Sequence, residues 1–131
     1  MPEAHEQEDR RTGFKAGPNL AMKVPAPLYA QTVAFYRDVL ALRELKSDED
    51  TTAFAFGNMT LHLDCCPQMS QAELWLQVAC NDSRAAAERL DRAGIRRCDG
   101  IEALPEGFDG FWISNPAGIV HLIDGAGQDR Q

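Results

Sequence analysis

The spacing of apolar and polar residues changes several times along the chain, and each change marks an element. Leu20, Met22 and Val24 alternate with Ala21 and Lys23, the period of a half-buried strand, and Pro25-Ala26-Pro27 closes it. Residues 29–42 place Val33, Tyr36 and Leu40 on one stripe with Phe35, Val39 and Leu42 beside it, which predicts an amphipathic helix. After the polar turn at 46–50, residues 52–56, Gly57-Asn58 and residues 59–64 read as a β-hairpin, and a further short strand is expected around 43–47.

The second half repeats this order. Leu74, Leu76 and Val78 alternate with Trp75 and Gln77 in a strand; residues 81–83 offer N-caps for a helix over 84–93, which Gly94 stops. Strands are expected at 95–98, 111–114 and 119–124, with Asn115-Pro116-Ala117-Gly118 as the last hairpin turn. Thr60-Leu61-His62-Leu63 matches Ile119-Val120-His121-Leu122, and an acidic residue follows soon after each. Two strand-helix-strand-strand-strand units of this size cannot bury their sheet faces alone, so an α+β domain of two βαβββ modules, with halves at about 18–66 and 71–125, is the natural solution. Residues 1–17 mix charges without periodicity and read as a flexible tail, with His5 outside any site, and 126–131 form a short tail.

Composition narrows the partners. The chain has 131 residues, enough for one domain with its own core. No apolar run approaches the length of a membrane span and the N-terminus is polar, so the expectation is a cytoplasmic protein with no membrane partner. A formal net charge of −7 repels phosphate backbones, and Arg10-Arg11 and Arg96-Arg97 are too short to form a basic stripe; no nucleic acid is expected. Cys65, Cys66, Cys80 and Cys98 lack paired metal-ligand spacing and are expected as reduced, packed thiols.

Alternation then gathers the chemistry. If Leu20, Met22 and Val24 pack under the first helix and Leu74, Leu76 and Val78 under the second, then Ala21, Lys23, Trp75 and Gln77 face the other way, as do Thr60, His62 and Asp64. With His121 placed there by its match to His62, two imidazoles, an ammonium, an amide, a hydroxyl, a carboxylate and an indole on one face are too polar a set for an ordinary core. Lys23 has two open readings, a buried ammonium meeting an anion or a stem that snorkels to water. His62 and His121 are either half-buried strand residues or ligand and proton handlers near neutral pH. Trp112 is expected opposite Phe111 and Ile113, in the helix layer or at a subunit contact. The Gly-, Pro- and acid-rich stretch 99–110 reads as a long loop, with Phe108 as a candidate lid.

Three features carry a family resemblance: the helix motif Phe35-Tyr36-Arg37-Asp38-Val39-Leu40, the strand Leu61-His62-Leu63, and the turn Asn115-Pro116-Ala117-Gly118. Over residues 18–125 the chain resembles the glyoxalase/bleomycin-resistance/extradiol-dioxygenase (vicinal oxygen chelate) superfamily. The resemblance implies a cup-shaped mixed sheet with helices packed outside and four metal-ligand positions, which fall on Ala21, His62, Trp75 and His121. Leu122 competes for the last, because the family's ligand stands four residues after the turn glycine. Ala21 and Trp75 cannot coordinate a metal, and two histidines supply half of what a divalent ion needs.

The expected function is therefore small-molecule binding without the usual metal quartet, through Lys23, His62, Trp75, Gln77 and His121. The bleomycin-resistance type of binder is the nearest functional model, and no cofactor is favoured. One alternative is a lyase or dioxygenase whose divalent metal is held by His62 and His121, with Gln77, Asp64 or Glu73 completing the site. Another is metal-free acid/base catalysis by a histidine with Lys23 stabilising an oxyanion. The resemblance also implies a homodimer and a small organic ligand as partners.

Overall fold

The structure, a computed structural model, describes residues 12–125. It divides into two compact units: Pro18–Trp75, and Leu76 onward together with the segment before Pro18. Each unit holds one βαβββ module of an α+β fold, and the strands β1 and β5 each cross the boundary.

The first module runs β1 (Lys15–Pro25), α1 (Ala26–Ala34), β2 (Glu44–Ser47), β3 (Thr51–Phe56) and β4 (Met59–Cys66). Its strands lie in the order β2-β3-β4-β1, with β1 parallel to β4 and the other pairs antiparallel. Val33 of α1 closes over Phe54, Leu61 and Leu63, joined by Leu20, Met22, Tyr29, Tyr36 and Leu42. Leu20, Met22, Leu61 and Leu63 stand on the helix side as alternation predicts, while Val24 is buried outside this cluster. The tripeptide read as a strand breaker opens α1, with a proline in its first turn where no N–H is missed.

The helix is shorter than the predicted 29–42. It passes into a π-helical turn at Phe35–Val39, closed by the Leu40 N–H donating to the Phe35 carbonyl at 3.0 Å, and Ala41 then adopts a positive φ of 55°. The wider turn resets the helical phase, so Tyr36 and Leu42 point inward while Phe35, Val39 and Leu40 stay exposed.

The second module runs β5 (Glu73–Ala79), α2 (Ser83–Arg92), β6 (Arg96–Arg97), β7 (Gly110–Ser114) and β8 (Val120–Asp124), in the spatial order β5-β8-β7-β6. Asp82 caps α2 by accepting the Ala85 N–H at 3.1 Å. The core is Cys80, Ala86, Phe111, Ile113 and Ile123, with Val78, Ala87, Leu90 and Ile95 packed on it. None of the four cysteines is in a disulfide, and burial pushes the Cys80 thiol up. The strand expected at 95–98 shrinks to two residues, because Ile95 turns into the core.

The tail expected over 1–17 also ends sooner. β1 starts at Lys15, and Thr12 is buried with its carbonyl accepting the Asn81 N–H at 2.7 Å. His5 and residues 126–131 lie outside the described residues. Among the described residues no helix is long and apolar enough to cross a membrane.

Candidate functional site

In the first unit, β1 and β4 run side by side with Ala21 opposite His62 and Lys23 opposite Asp64, while β3 sets Thr51 opposite Asp64 and Ala53 opposite His62. Paired residues share a face, and since Leu20, Met22, Leu61 and Leu63 face α1, this polar set faces away from it. Alternation alone therefore assembles the candidate site.

Lys23 sits at its centre. The residue is 4% exposed; its Nζ donates to Asp64 Oδ2 at 2.8 Å and lies 4.3 Å from the centre of the Trp75 ring. Of the two open readings, snorkelling is ruled out and the buried ammonium meets a carboxylate. Desolvating an ammonium is costly, and the carboxylate and the negative face of the indole both offset that cost. Thr51 Oγ1 donates to the other oxygen, Asp64 Oδ1, at 2.7 Å, so the carboxylate is held from two strands. The Trp75 Nε1–H donates to Glu73 Oε1 at 2.9 Å, which fixes the plane of the ring.

His62 is half-buried, with Nε2 2.9 Å from Asn19 Oδ1. Burial pushes its pKa below the usual histidine value; the Asp64 charge opposes this, and Lys46 and Lys23 reinforce it. The ring is thus held toward its neutral form.

In the second unit the face away from α2 carries Gln77, Trp112, Leu122 and Asp124, since Gln77 pairs with Leu122 and Trp112 pairs with Leu122 from the other side. Gln77 Nε2 donates to Asp124 Oδ2 at 3.0 Å, and Asp124 is 1% exposed. The Gln77 side chain packs against the bare backbone of Gly17, where an added Cβ would meet its amide. Trp112 is opposite Phe111 and Ile113 as expected, but those two belong to the α2 core, so Trp112 is not in the helix layer. Its Nε1–H donates to the Glu102 carbonyl at 2.9 Å, tying the 99–110 loop down.

His121 is where the sequence reading fails. It pairs with Leu76 and Ile113 and shares its face with Ile123, on the α2 side, and its Nδ1–H donates to the Ile119 carbonyl at 3.0 Å. The four-residue turn Asn115-Pro116-Ala117-Gly118, with Gly118 at φ +88° and Asn115 Oδ1 accepting two backbone N–H groups, shifts the repeat by one residue. A one-residue slip turns every side chain of a strand over. Leu122, not His121, is the counterpart of His62, and Asp124 that of Asp64.

Lys23, His62 and Trp75 are thus brought together in one unit, Gln77 belongs to the matching face of the other, and His121 belongs to neither face. Sequence reasoning passed over Asn19 and Thr51, which share the parity of Lys23 and of Asp64's strand partner, and over Asp124. The donor set does not fit the four-ligand metal of the resemblance. Ala21, Trp75 and Leu122 have no donor to offer, His62 Nε2 is engaged by Asn19, and a buried ammonium occupies the same face. Among the described residues, no three His, Cys, Asp or Glu side chains group as a metal site would require.

No protein-family model and no curated protein matches the chain. Solved structures do. A Mn(II)-bound glyoxalase from Novosphingobium aromaticivorans superposes with a TM-score of 0.62 at 18% identity, over 86% of this chain and 39% of that one. Homoprotocatechuate 2,3-dioxygenase from Arthrobacter globiformis gives 0.60 at 20% identity, over 87% and 37%. The chain has the fold of this glyoxalase and of extradiol dioxygenases. A hypothetical protein from Bacillus halodurans C-125 matches along nearly its whole length, with a TM-score of 0.62, 10% identity and coverage of 85% and 93%. This chain spans about two fifths of the glyoxalase and dioxygenase chains, and at such identities the likeness is one of fold.

Proposed function

We propose that this protein is a small-organic-molecule-binding member of the vicinal oxygen chelate fold that works without the four-ligand metal. The observation that carries the reading is the Lys23 ammonium, clamped by Asp64 and lying on the Trp75 ring. A fixed cation beside His62 repels a divalent ion and suits a neutral or anionic organic group. Trp75, 6% exposed, backs the ammonium with an apolar wall; half-buried His62 and the partly exposed Asp64 supply polar contacts. Gln77 offers an amide on the second unit's own polar face. The register of β8 removes support for His121 as a contact.

The neutral, half-buried His62 favours one second reading: metal-free proton transfer by its imidazole, with Lys23 stabilising the oxyanion formed. Lys23→Met separates the two, because it abolishes turnover under the second reading and only weakens binding under the first. Homodimer formation belongs to the same proposal, supported by the exposed apolar side chains Leu28, Phe35, Val39 and Leu40; sedimentation at micromolar concentration tests it.

The deciding experiment is the metal content of the tag-free protein after incubation with Fe(II), Mn(II), Ni(II) or Zn(II) and desalting, for wild type and His62→Ala/His121→Ala. Retention near background, followed by stabilising hits in a thermal-shift screen of small organic compounds, supports the binder. About one equivalent retained by the wild type and lost in the double variant overturns it.

A further inference from the structure

The candidate site contains a histidine whose two ring nitrogens are treated differently by the fold. His62 Nε2 stands 2.9 Å from Asn19 Oδ1, across the β1/β4 ladder in which Ala21 is the direct partner of His62. An amide oxygen can only accept, so the contact places the proton on Nε2. A neutral imidazole carries one proton, and Nδ1 is then left with a bare lone pair. Asn19 reaches the ring because it precedes Ala21 by two residues on the same face, and the diagonal between adjacent strands is short enough for a side chain to bridge.

We propose that Asn19 is the positioning residue of the site: it holds His62 as the Nε2–H tautomer, so that Nδ1 is an acceptor and the site takes its ligand through a hydroxyl, phenol or N–H group. The ligand half of this statement rests on the reading of the protein as a small-molecule binder; the tautomer half does not. The neutral form it requires is the one burial favours, against the pull of Asp64 on the same strand and with the push of Lys46 from β2 and Lys23 from β1. The Lys23–Asp64 pair holds the opposite charges next to the ring in a fixed arrangement. A ligand acceptor would face a lone pair and be rejected, which makes the tautomer a selector of ligand chemistry.

Long-range ¹H–¹⁵N correlation spectra of ¹⁵N-labelled full-length protein read the tautomer directly. The chain has three histidines, and His62→Gln assigns the signal. The expected result is an Nε2–H ring in the wild type. In Asn19→Leu the tautomer ratio falls about fivefold or more, the worth of one hydrogen bond. Asn19→Asp, which keeps the acceptor, restores the Nε2–H form and raises the titration midpoint of His62. An Nδ1–H ring in the wild type, or a ratio unmoved by Asn19→Leu in a spectrum that is otherwise folded, overturns the assignment of Asn19.

Phenol and anisole then test the ligand class on the same resonance. Phenol moving Nδ1 while anisole leaves it in place supports a donor ligand. Equal shifts with both, or no shift with either, overturn that half. The tautomer is measured on the free protein, so retention of a metal by the wild type would sink the binder reading and leave the role of Asn19 to its own result.

Discussion

The two units solve the same problem with different charge. In each, a donor two residues beyond the first-strand ligand position bonds a carboxylate two residues beyond the last-strand position: Lys23 to Asp64 in one, Gln77 to Asp124 in the other. The first pair is ionic and stands directly across the ladder, with the Asp64 side chain 26% exposed. The second is an amide on a carboxylate, reached diagonally, with Asp124 sealed at 1%. A buried ion pair is worth little against an apolar replacement but costs much when one partner goes, whereas an amide–carboxylate bond loses only what the orphaned acceptor then costs. The comparison locates the unit whose polar face is charged and partly open, and it is the one holding His62.

The largest expected effect follows from that asymmetry. Asp64→Ala takes the Asp64 carboxylate away from the buried Lys23 ammonium and should cost roughly 3–5 kcal/mol in urea unfolding. Restoring near-wild-type stability with Lys23→Met on top of Asp64→Ala would identify the broken Lys23–Asp64 pair as the cause. Gln77→Leu should cost less, about 1–3 kcal/mol, since Asp124 loses one donor. If Gln77→Leu proves the worse of the two, the two pairs are not related as charged and neutral versions of one device.

A third expectation concerns pH. His62 titrates below its ordinary value of 6.5 in the fold, so the unfolded chain takes up a proton first as the solution is acidified. Stability is therefore unaffected by this group above about pH 6.5 and declines below it, by at most about 1.4 kcal/mol per pH unit, until the folded ring also protonates. Thermal unfolding of His62→Gln between pH 5 and 7.5 should lack that component of the decline; an unchanged profile would remove His62 as its source. The smallest effect is expected of His121→Gln, within about 0.5 kcal/mol and without change in any ligand binding, because its ring bonds only the neighbouring Ile119 carbonyl. Loss of ligand binding in His121→Gln would break the register argument that separates the two histidines.

Much of the fold was legible. Alternation in Leu20-Ala21-Met22-Lys23, in Leu61-His62-Leu63-Asp64 and in Phe111-Trp112-Ile113 sorts core from polar face by a period of two, which any half-buried strand must obey. Helix phase was less legible, because the π-helical turn after Ala34 breaks the 3.6-residue period that placed Leu40 inward. The histidine pair was misread for a related reason. Thr60-Leu61-His62-Leu63 and Ile119-Val120-His121-Leu122 look alike as strings, but aligning Asp64 with Asp124 and Leu63 with Ile123 instead would have turned His121 toward the helix.

By itself, the sequence determined two βαβββ modules, the faces of β1 and β4, and the presence of Lys23 and His62 on one of those faces, since local period and turn residues suffice for that. Only the tertiary structure decided which carboxylate Lys23 meets, which nitrogen of His62 Asn19 takes, and which way His121 points. Each of these depends on the register between strands distant in sequence, and a shift of one residue, invisible in composition and nearly invisible in pattern, reverses the answer.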